Sequence, residues 1–316
     1  MQEKFAELKD IHIKEGFAER YKCICGETYD DFLEVSLTYL RRSIRVNTLK
    51  ISVEDLKARL EKVWELTPIP WSPKGFWIKH KKGTRRDIGN LIEHQLGYFH
   101  VQSAASMLPP LALQPKPNEL ILDMCASPGS KTTQIGVEMK NTGLLIANDY
   151  KGMRVRPLGI NLQRAGLTNS IITLMEGQRF KGFQFDRILV DAPCSGTGTI
   201  RKSLKTLRIW NPNMVKRLSI TQKQLLENAY KNTKSGGTIV YSTCSLEPHE
   251  DEAVVSWFLD NFKVEIQDIE LNIVRAKPIL EFEGQKFNPL VKKSLRVWPQ
   301  DNDTEGFFVA KFKKLS

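Results

Sequence analysis

The sequence predicts an α/β fold: a doubly wound, mostly parallel sheet preceded by a small α+β domain. Three observations predict it. Beyond Pro117, short apolar runs alternate with helix-length amphipathic stretches, the pattern of a parallel sheet. A chain of 316 residues suits one large domain plus a smaller partner, divided here into 1–95 and 96–316. Two of the apolar runs end in cysteine-bearing segments, Asp191-Ala192-Pro193-Cys194-Ser195-Gly196 and Tyr241-Ser242-Thr243-Cys244-Ser245. In an open α/β sheet reactive groups gather past the carboxyl ends of strands, so these two thiols are expected to be neighbours.

Taken in order, Asp30 to Leu40 fits a helix loosely, and Ser52 to Val63 fits one better, because Ser52-Val53-Glu54-Asp55 resembles a capping box. Ser43 to Leu49 and Trp77 to Lys79 read as strands, separated by the turn-rich Pro68 to Gly75. A helix from about Val101 to Ala112, closed by Pro115 and Pro117, is expected to join the two domains. The regular alternation follows. Strands are expected at Glu119 to Met124, Leu144 to Asn148, Ile171 to Met175, Phe185 to Val190 and Thr238 to Tyr241, and helices at Ser130 to Lys140, Met153 to Ala165, about Asn213 to Lys231 and about Pro248 to Phe262. Leu295 to Trp298 and Phe307 to Lys313 suggest an antiparallel edge pair.

Lys and Arg number 47 against 36 Asp and Glu, a net charge of +11, which points to a polyanionic partner such as ribosomal or transfer RNA. A lysine-rich surface that only aids solubility is the competing explanation. The five cysteines, Cys23, Cys25, Cys125, Cys194 and Cys244, form no paired disulfide pattern, so a reducing compartment is expected. Cys23-Ile24-Cys25 lacks the spacing of a zinc knuckle and reads as structural, with no metal expected. The amino terminus carries no apolar signal segment, and no run of 18 apolar residues exists. A cytoplasmic, soluble protein without a membrane partner is expected, as a monomer.

Asp123 to Thr132 spans a turn from the first strand of the alternating region into its first helix. Small residues there let backbone approach a ligand, and the helix start attracts a phosphate or a carboxylate. The spacing matches neither a dinucleotide fingerprint nor a P-loop. Asp149 lies twenty residues past Gly129, where an acid accepts hydrogen bonds from ribose hydroxyls; a helix cap ahead of Met153 is the alternative. A ribose-bearing ligand without a long phosphate chain, such as S-adenosyl-L-methionine, fits best.

Two thiols in one pocket suit methylation at carbon 5 of cytosine. A thiolate adding to carbon 6 makes carbon 5 nucleophilic, and a second group must later remove the carbon-5 hydrogen so that the thiolate can leave. An ordinary thiol is only a few per cent thiolate at pH 7, so the attacking one needs activation, for which a helix starting near Pro248 is a candidate. Glu247, Glu250, Asp251 and Glu252 would oppose it if close. Asp191 stands where it can hydrogen-bond the cytosine edge. Each cysteine taken alone would read as a buried structural residue.

These segments, with Ser195 to Lys202, resemble the Nop/Sun family of RNA (cytosine-5) methyltransferases, most closely its archaeal transfer-RNA members, over about residues 95 to 262. The resemblance implies a Rossmann-like class I methyltransferase fold. It implies Cys244 as nucleophile, Cys194 as the residue required for product release, and cofactor binding by Cys125, Ala126, Ser127, Pro128, Gly129, Ser130 and Lys131, with Asp149 as the ribose acid. Arg154 and Asp191 match further cofactor positions, and Glu176 falls where an aspartate is usual. The amino-terminal part resembles more weakly a small RNA-recognition-like domain, and no further RNA-binding module is expected after Phe308. Arg41, Arg42, Arg45, Lys79, Lys81, Lys82, Arg85 and Arg86 are its candidate phosphate contacts, with Trp71 and Trp77 to stack on bases unless they fill the core. The activity expected is tRNA (cytosine-5) methylation, with rRNA the nearest alternative. A DNA cytosine methyltransferase, in which Cys194 would attack, and a non-catalytic RNA-binding protein are the other classes.

Overall fold

The computed structural model describes residue 5 and residues 13–83 and 87–316. Two helices, α1 (Glu15–Cys25) and α2 (Tyr29–Ser36), open the chain. They are followed by β1 (Ser43–Val46), α3 (Val53–Leu60), β2 (Trp64–Ile69), β3 (Ser72–His80), α4 (Ile92–Gln95) and β4 (Phe99–Val101). The four strands form an antiparallel sheet in the order β2-β3-β1-β4. Helix α3 begins as its sequence suggests, with Ser52 Oγ accepting the Asp55 N–H at 3.0 Å.

The segment from Pro68 to Gly75 is mostly strand rather than turn. Only Pro70-Trp71 turns the hairpin. Pro68 is tolerated because β2 is an edge strand, where a missing N–H breaks no ladder, and a register shift follows it. The linker is also less helical than expected. Val101 ends β4, and after a short 3₁₀ turn only α5 (Leu108–Leu113) is α-helical, because Phe99–Val101 pairs with Ser43–Val46.

The second sheet alternates as predicted: β5 (Leu120–Asp123), α6 (Ser130–Glu138), β6 (Leu144–Asp149), α7 (Gly152–Ala165), β7 (Ser170–Leu174), β8 (Phe185–Asp191), α8 (Lys205–Ile209), α9 (Pro212–Asn232), β9 (Thr233–Thr243), α10 (Glu252–Asn261) and β10 (Val264–Gln267). A small hairpin of β11 (Glu281–Phe282) and β12 (Gln285–Lys286), then β13 (Leu295–Val297), α11 (Pro299–Asn302) and β14 (Phe307–Lys314) complete it. The strand order is β10-β14-β9-β8-β5-β6-β7, parallel from β9 to β7.

Successive apolar residues of each central strand serve opposite layers. Leu122, Ile146, Ile188 and Ile239 pack with Leu225, Leu226, Val254 and Phe258 of α9 and α10. Their neighbours Ile121, Leu145, Leu189 and Val240 pack with Leu108, Leu113 and Ile135 of α5 and α6. Burial on both faces is what makes these strands read as continuous apolar runs. The terminal pair is not an edge: β14 lies between β9 on one side and β10 and β13 on the other, because its own residues also divide between the two layers. Helices α1 and α2 send Phe17, Tyr21 and Phe32 against Trp210, Leu246 and Trp298 of the larger sheet's loops. Among the described residues, no helix is long and apolar enough to cross a membrane.

Candidate active site

Strand order reverses between β5 and β8, and the crevice at such a switch point is where ligands bind in open α/β sheets. Asp123 and Asp191 end the two strands there. Beyond them lies a cleft of about 890 Å³ whose walls include Asp123, Cys125, Ser127, Lys131, Asp191 and Lys202, with Arg41 and Arg42 opposite on the small domain.

The turn after β5 is built by Gly129, whose φ of +106° suits a residue without a side chain, and by Ala126 C=O accepting the Gly129 N–H at 2.8 Å. Asp149 is buried behind this turn. Its Oδ2 accepts the Ser127 N–H at 3.3 Å and its Oδ1 the Lys151 N–H at 3.0 Å, so it braces the turn and also supports the start of α7. Arg154 joins the group by donating to Ser127 C=O at 2.8 Å, and it lies 3.6 Å from Asp149. Glu176 instead pairs with its exposed neighbour Arg179 at 2.8 Å. Burial and then the charges of Asp123, Asp191 and Asp149 push the Cys125 thiol up. Asp123 is itself pushed up to about 7 by burial, and its Oδ1 has no hydrogen-bond partner among the described residues. Three acids around one small-residue turn suit a ligand carrying positive charge and hydroxyls better than a polyphosphate.

The register of β8 on β9 pairs Val190 with Tyr241 and Asp191 with Ser242, so the two chain segments leave the sheet at one level. Cys194 and Cys244, both half-buried, follow with their sulfurs 3.2 Å apart. The hydrogen bond from Cys194 lowers the Cys244 thiol against the opposing effect of burial, with Lys202 and Lys131 adding to the lowering. The same bond and burial push Cys194 well up. In the resting pair the proton therefore resides on Cys194. Activation does not come from a helix at Pro248: α10 begins only at Glu252, and Pro248 to Asp251 form turns.

The four acids after Cys244 do not face the thiols as free charges; each is buried and occupied. Glu247 accepts from Arg20 and Trp210, Asp251 from Thr243 and Arg296, and Glu252 from Arg296 at 2.6 Å. Glu250 accepts from Ser195, Ser245 and Gln222. These bonds spend the turn's side chains and keep its backbone out of the helix. Gly198 fits because its N–H reaches Cys244 C=O at 2.9 Å while a Cβ there would lie 2.2 Å from Gly306 O.

On the small domain, Arg41, Arg42, Lys79, Lys81 and Lys82 are exposed, whereas Arg45 is not a surface cation. It is buried and bonds Gln102 and Thr133, tying the two sheets together. Trp71 and Trp77 are core residues. Trp71 donates to Ala104 C=O, and the Arg41 guanidinium covers the Trp77 ring at 4.3 Å, so neither offers a free face to a base. Arg85 and Arg86 lie outside the described residues. Cys25 packs into the cluster around Phe17 and Trp210.

The family described as 16S rRNA methyltransferase RsmB/F matches residues 110–313, and the N-terminal domain of 16S rRNA methyltransferase RsmF matches 13–104. The chain belongs to the RsmB/F family of RNA methyltransferases. It is 44% identical to the tRNA (cytosine(49)-C(5))-methyltransferase of Pyrococcus abyssi over 98% of both chains. It is 43% identical to ribosomal RNA small subunit methyltransferase F of Shewanella piezotolerans over 91% of its own length, spanning 60% of that longer protein. Among solved structures, a methyltransferase homolog protein from Pyrococcus horikoshii superposes with a TM-score of 0.87 at 37% identity over 98% of both chains. NSun6 from the same organism, solved with SFG, shares the fold with a TM-score of 0.84 at 23% identity, covering 96% of this chain and 98% of that one.

Within this RsmB/F chain the residues that sequence reasoning missed are the supports. Arg296, buried on β13, carries Asp251 and Glu252, and Gln222 on α9 carries Glu250 and the Pro193 carbonyl. The available signal was an acid-rich turn running straight into the apolar Ala253-Val254-Val255, since buried acids require partners.

Proposed function

We propose that this methyltransferase forms 5-methylcytosine in transfer RNA, with S-adenosyl-L-methionine as methyl donor and Cys244 as the covalent nucleophile. The observation that carries the reading is the 3.2 Å contact between Cys194 and Cys244, with the proton on Cys194. Cys244 adds to carbon 6 of cytosine, forming the S–C bond and moving electron density to carbon 5. When bound, S-adenosyl-L-methionine supplies an electrophilic methyl group. Asp191 holds the cytosine edge: Ser242 and Lys131 each occupy one of its oxygens, at 2.8 and 2.7 Å, and leave lone pairs for the base. After methyl transfer Cys194, having given up the proton it holds in the resting pair, removes the carbon-5 hydrogen. The S–C bond then breaks and Cys244 leaves. The high proton affinity of Cys194 suits it to that removal.

Cofactor binding is assigned to the Cys125 to Lys131 turn, with Asp149 toward the ribose and Arg154 bracing the turn. Glu176 takes part only by releasing Arg179. Arg41, Arg42 and Lys79 are assigned to RNA phosphates. Transfer RNA is preferred to ribosomal RNA because the 44% identical relative, named as a tRNA (cytosine(49)-C(5)) enzyme, aligns over 98% of both chains. The test is methylation of tRNA transcripts and small-subunit rRNA fragments by the purified protein, mapped by bisulfite sequencing. Methylation of rRNA alone would overturn the tRNA assignment, and methylation at positions other than carbon 5 would overturn the chemistry.

A further inference from the structure

Two catalytic thiols on separate loops need something to hold them in contact, and one buried carboxylate bonds to both loops. Glu250 has no exposed surface. Its Oε1 accepts the Ser195 N–H at 2.9 Å and the Gln222 amide at 3.0 Å. Its Oε2 accepts the Ser245 hydroxyl at 2.6 Å and the Ser195 hydroxyl. Ser195 directly follows Cys194 and Ser245 directly follows Cys244. Gln222 extends the grip to the other side of Cys194 by donating to Pro193 C=O at 2.9 Å. The carboxylate is itself anchored, because the Tyr241 hydroxyl donates to the Glu250 carbonyl at 2.5 Å.

We propose that Glu250 is a positioning residue that keeps Cys194 and Cys244 in hydrogen-bond contact for both halves of the reaction, an inference that rests on the two-thiol mechanism above. The chemistry requires a carboxylate. An ionised carboxylate only accepts, and all four partners donate here. Glutamine has the same shape, but whichever way its amide turns, one end presents N–H groups to two donors. Two of the four bonds are then lost and the loops move apart. Cys244 loses the S–H donor that favours its thiolate, and Cys194 loses its place beside the adduct.

The test compares wild-type protein, Glu250→Gln and the milder Ser195→Ala/Ser245→Ala pair. Iodoacetamide alkylation of each cysteine is followed against pH by peptide mapping, alongside single-turnover methylation of a tRNA transcript. For Glu250→Gln the alkylation midpoint of Cys244 should rise by about one pH unit, the measure of a lost charge-stabilising contact. The methylation rate should fall about tenfold or more with KM for RNA within about twofold, as expected for groups displaced by about 1 Å. The covalent RNA adduct should persist longer than in wild type. A folded Glu250→Gln protein with wild-type Cys244 titration and adduct lifetime would overturn the proposal, even with activity reduced. If Glu250→Gln does not fold, the serine pair decides by the same readouts. Failure of the underlying mechanism looks different: Cys244→Ala would still methylate RNA, whereas the alkylation profiles need no RNA.

Discussion

Lys131 Nζ donates to Asp191 Oδ2 at 2.7 Å and so joins the first turn of α6 to the loop that carries Cys194. Burial acts to lower the lysine, but Asp191 outweighs it and holds the ammonium charged. Lys131 also adds to the lowering of Cys244, while the Asp191 charge opposes it.

Replacing Lys131 by methionine removes that cation and leaves Asp191 uncompensated. Both changes raise the Cys244 thiol. Because attack needs the thiolate, the acidic limb of the kcat/KM profile should move to higher pH by about one unit. Activity near pH 7 should fall about tenfold and recover at higher pH. An unmoved limb would show that Lys131 does not act on the thiol.

The two thiols should fail in opposite ways although both mutants lose turnover by at least about a thousandfold. Cys244→Ala cannot bond carbon 6 and should give no covalent RNA. Cys194→Ala should still attack and methylate but not release, and methylated RNA should stay on Cys244 as a slow band on a denaturing gel. The reverse pattern would assign attack to Cys194.

Asp149 holds the Ser127 and Lys151 N–H groups. Its replacement by alanine should weaken S-adenosyl-L-methionine binding by about 1–3 kcal/mol, or about five- to 150-fold. Calorimetry on the folded mutant measures this, and an unchanged affinity removes Asp149 from the cofactor site.

Arg296 is buried and donates to Asp251 at 3.1 Å and to Glu252 at 2.6 Å. Arg296→Met leaves two carboxylates buried without their cation, which should cost about 3–5 kcal/mol. Urea denaturation should show a lower midpoint at unchanged m-value. Glu252→Gln added to Arg296→Met should recover part of the loss, since one uncompensated charge is removed.

The sequence by itself determined the parallel sheet, because strands buried on both faces, such as Ile121-Leu122 and Ile188-Leu189, must be continuously apolar whatever packs on them. It also located the Gly129 turn, since that backbone conformation demands a particular residue type. What surrounds the thiols only the tertiary structure decided. The 3.2 Å contact of Cys194 with Cys244 follows from the register of β8 on β9, fifty residues apart in the chain. The acids after Cys244 read as a threat to its activation, yet Arg20, Gln222 and Arg296 occupy them from distant elements. Arg45 and the tryptophans read as surface RNA contacts for the same reason: the burial of a polar or aromatic side chain depends on partners far along the chain, here Gln102, Thr133 and Ala104. Local pattern specifies which face of a strand is apolar, whereas the protonation and pairing of a buried group depend on charges that only folding brings near.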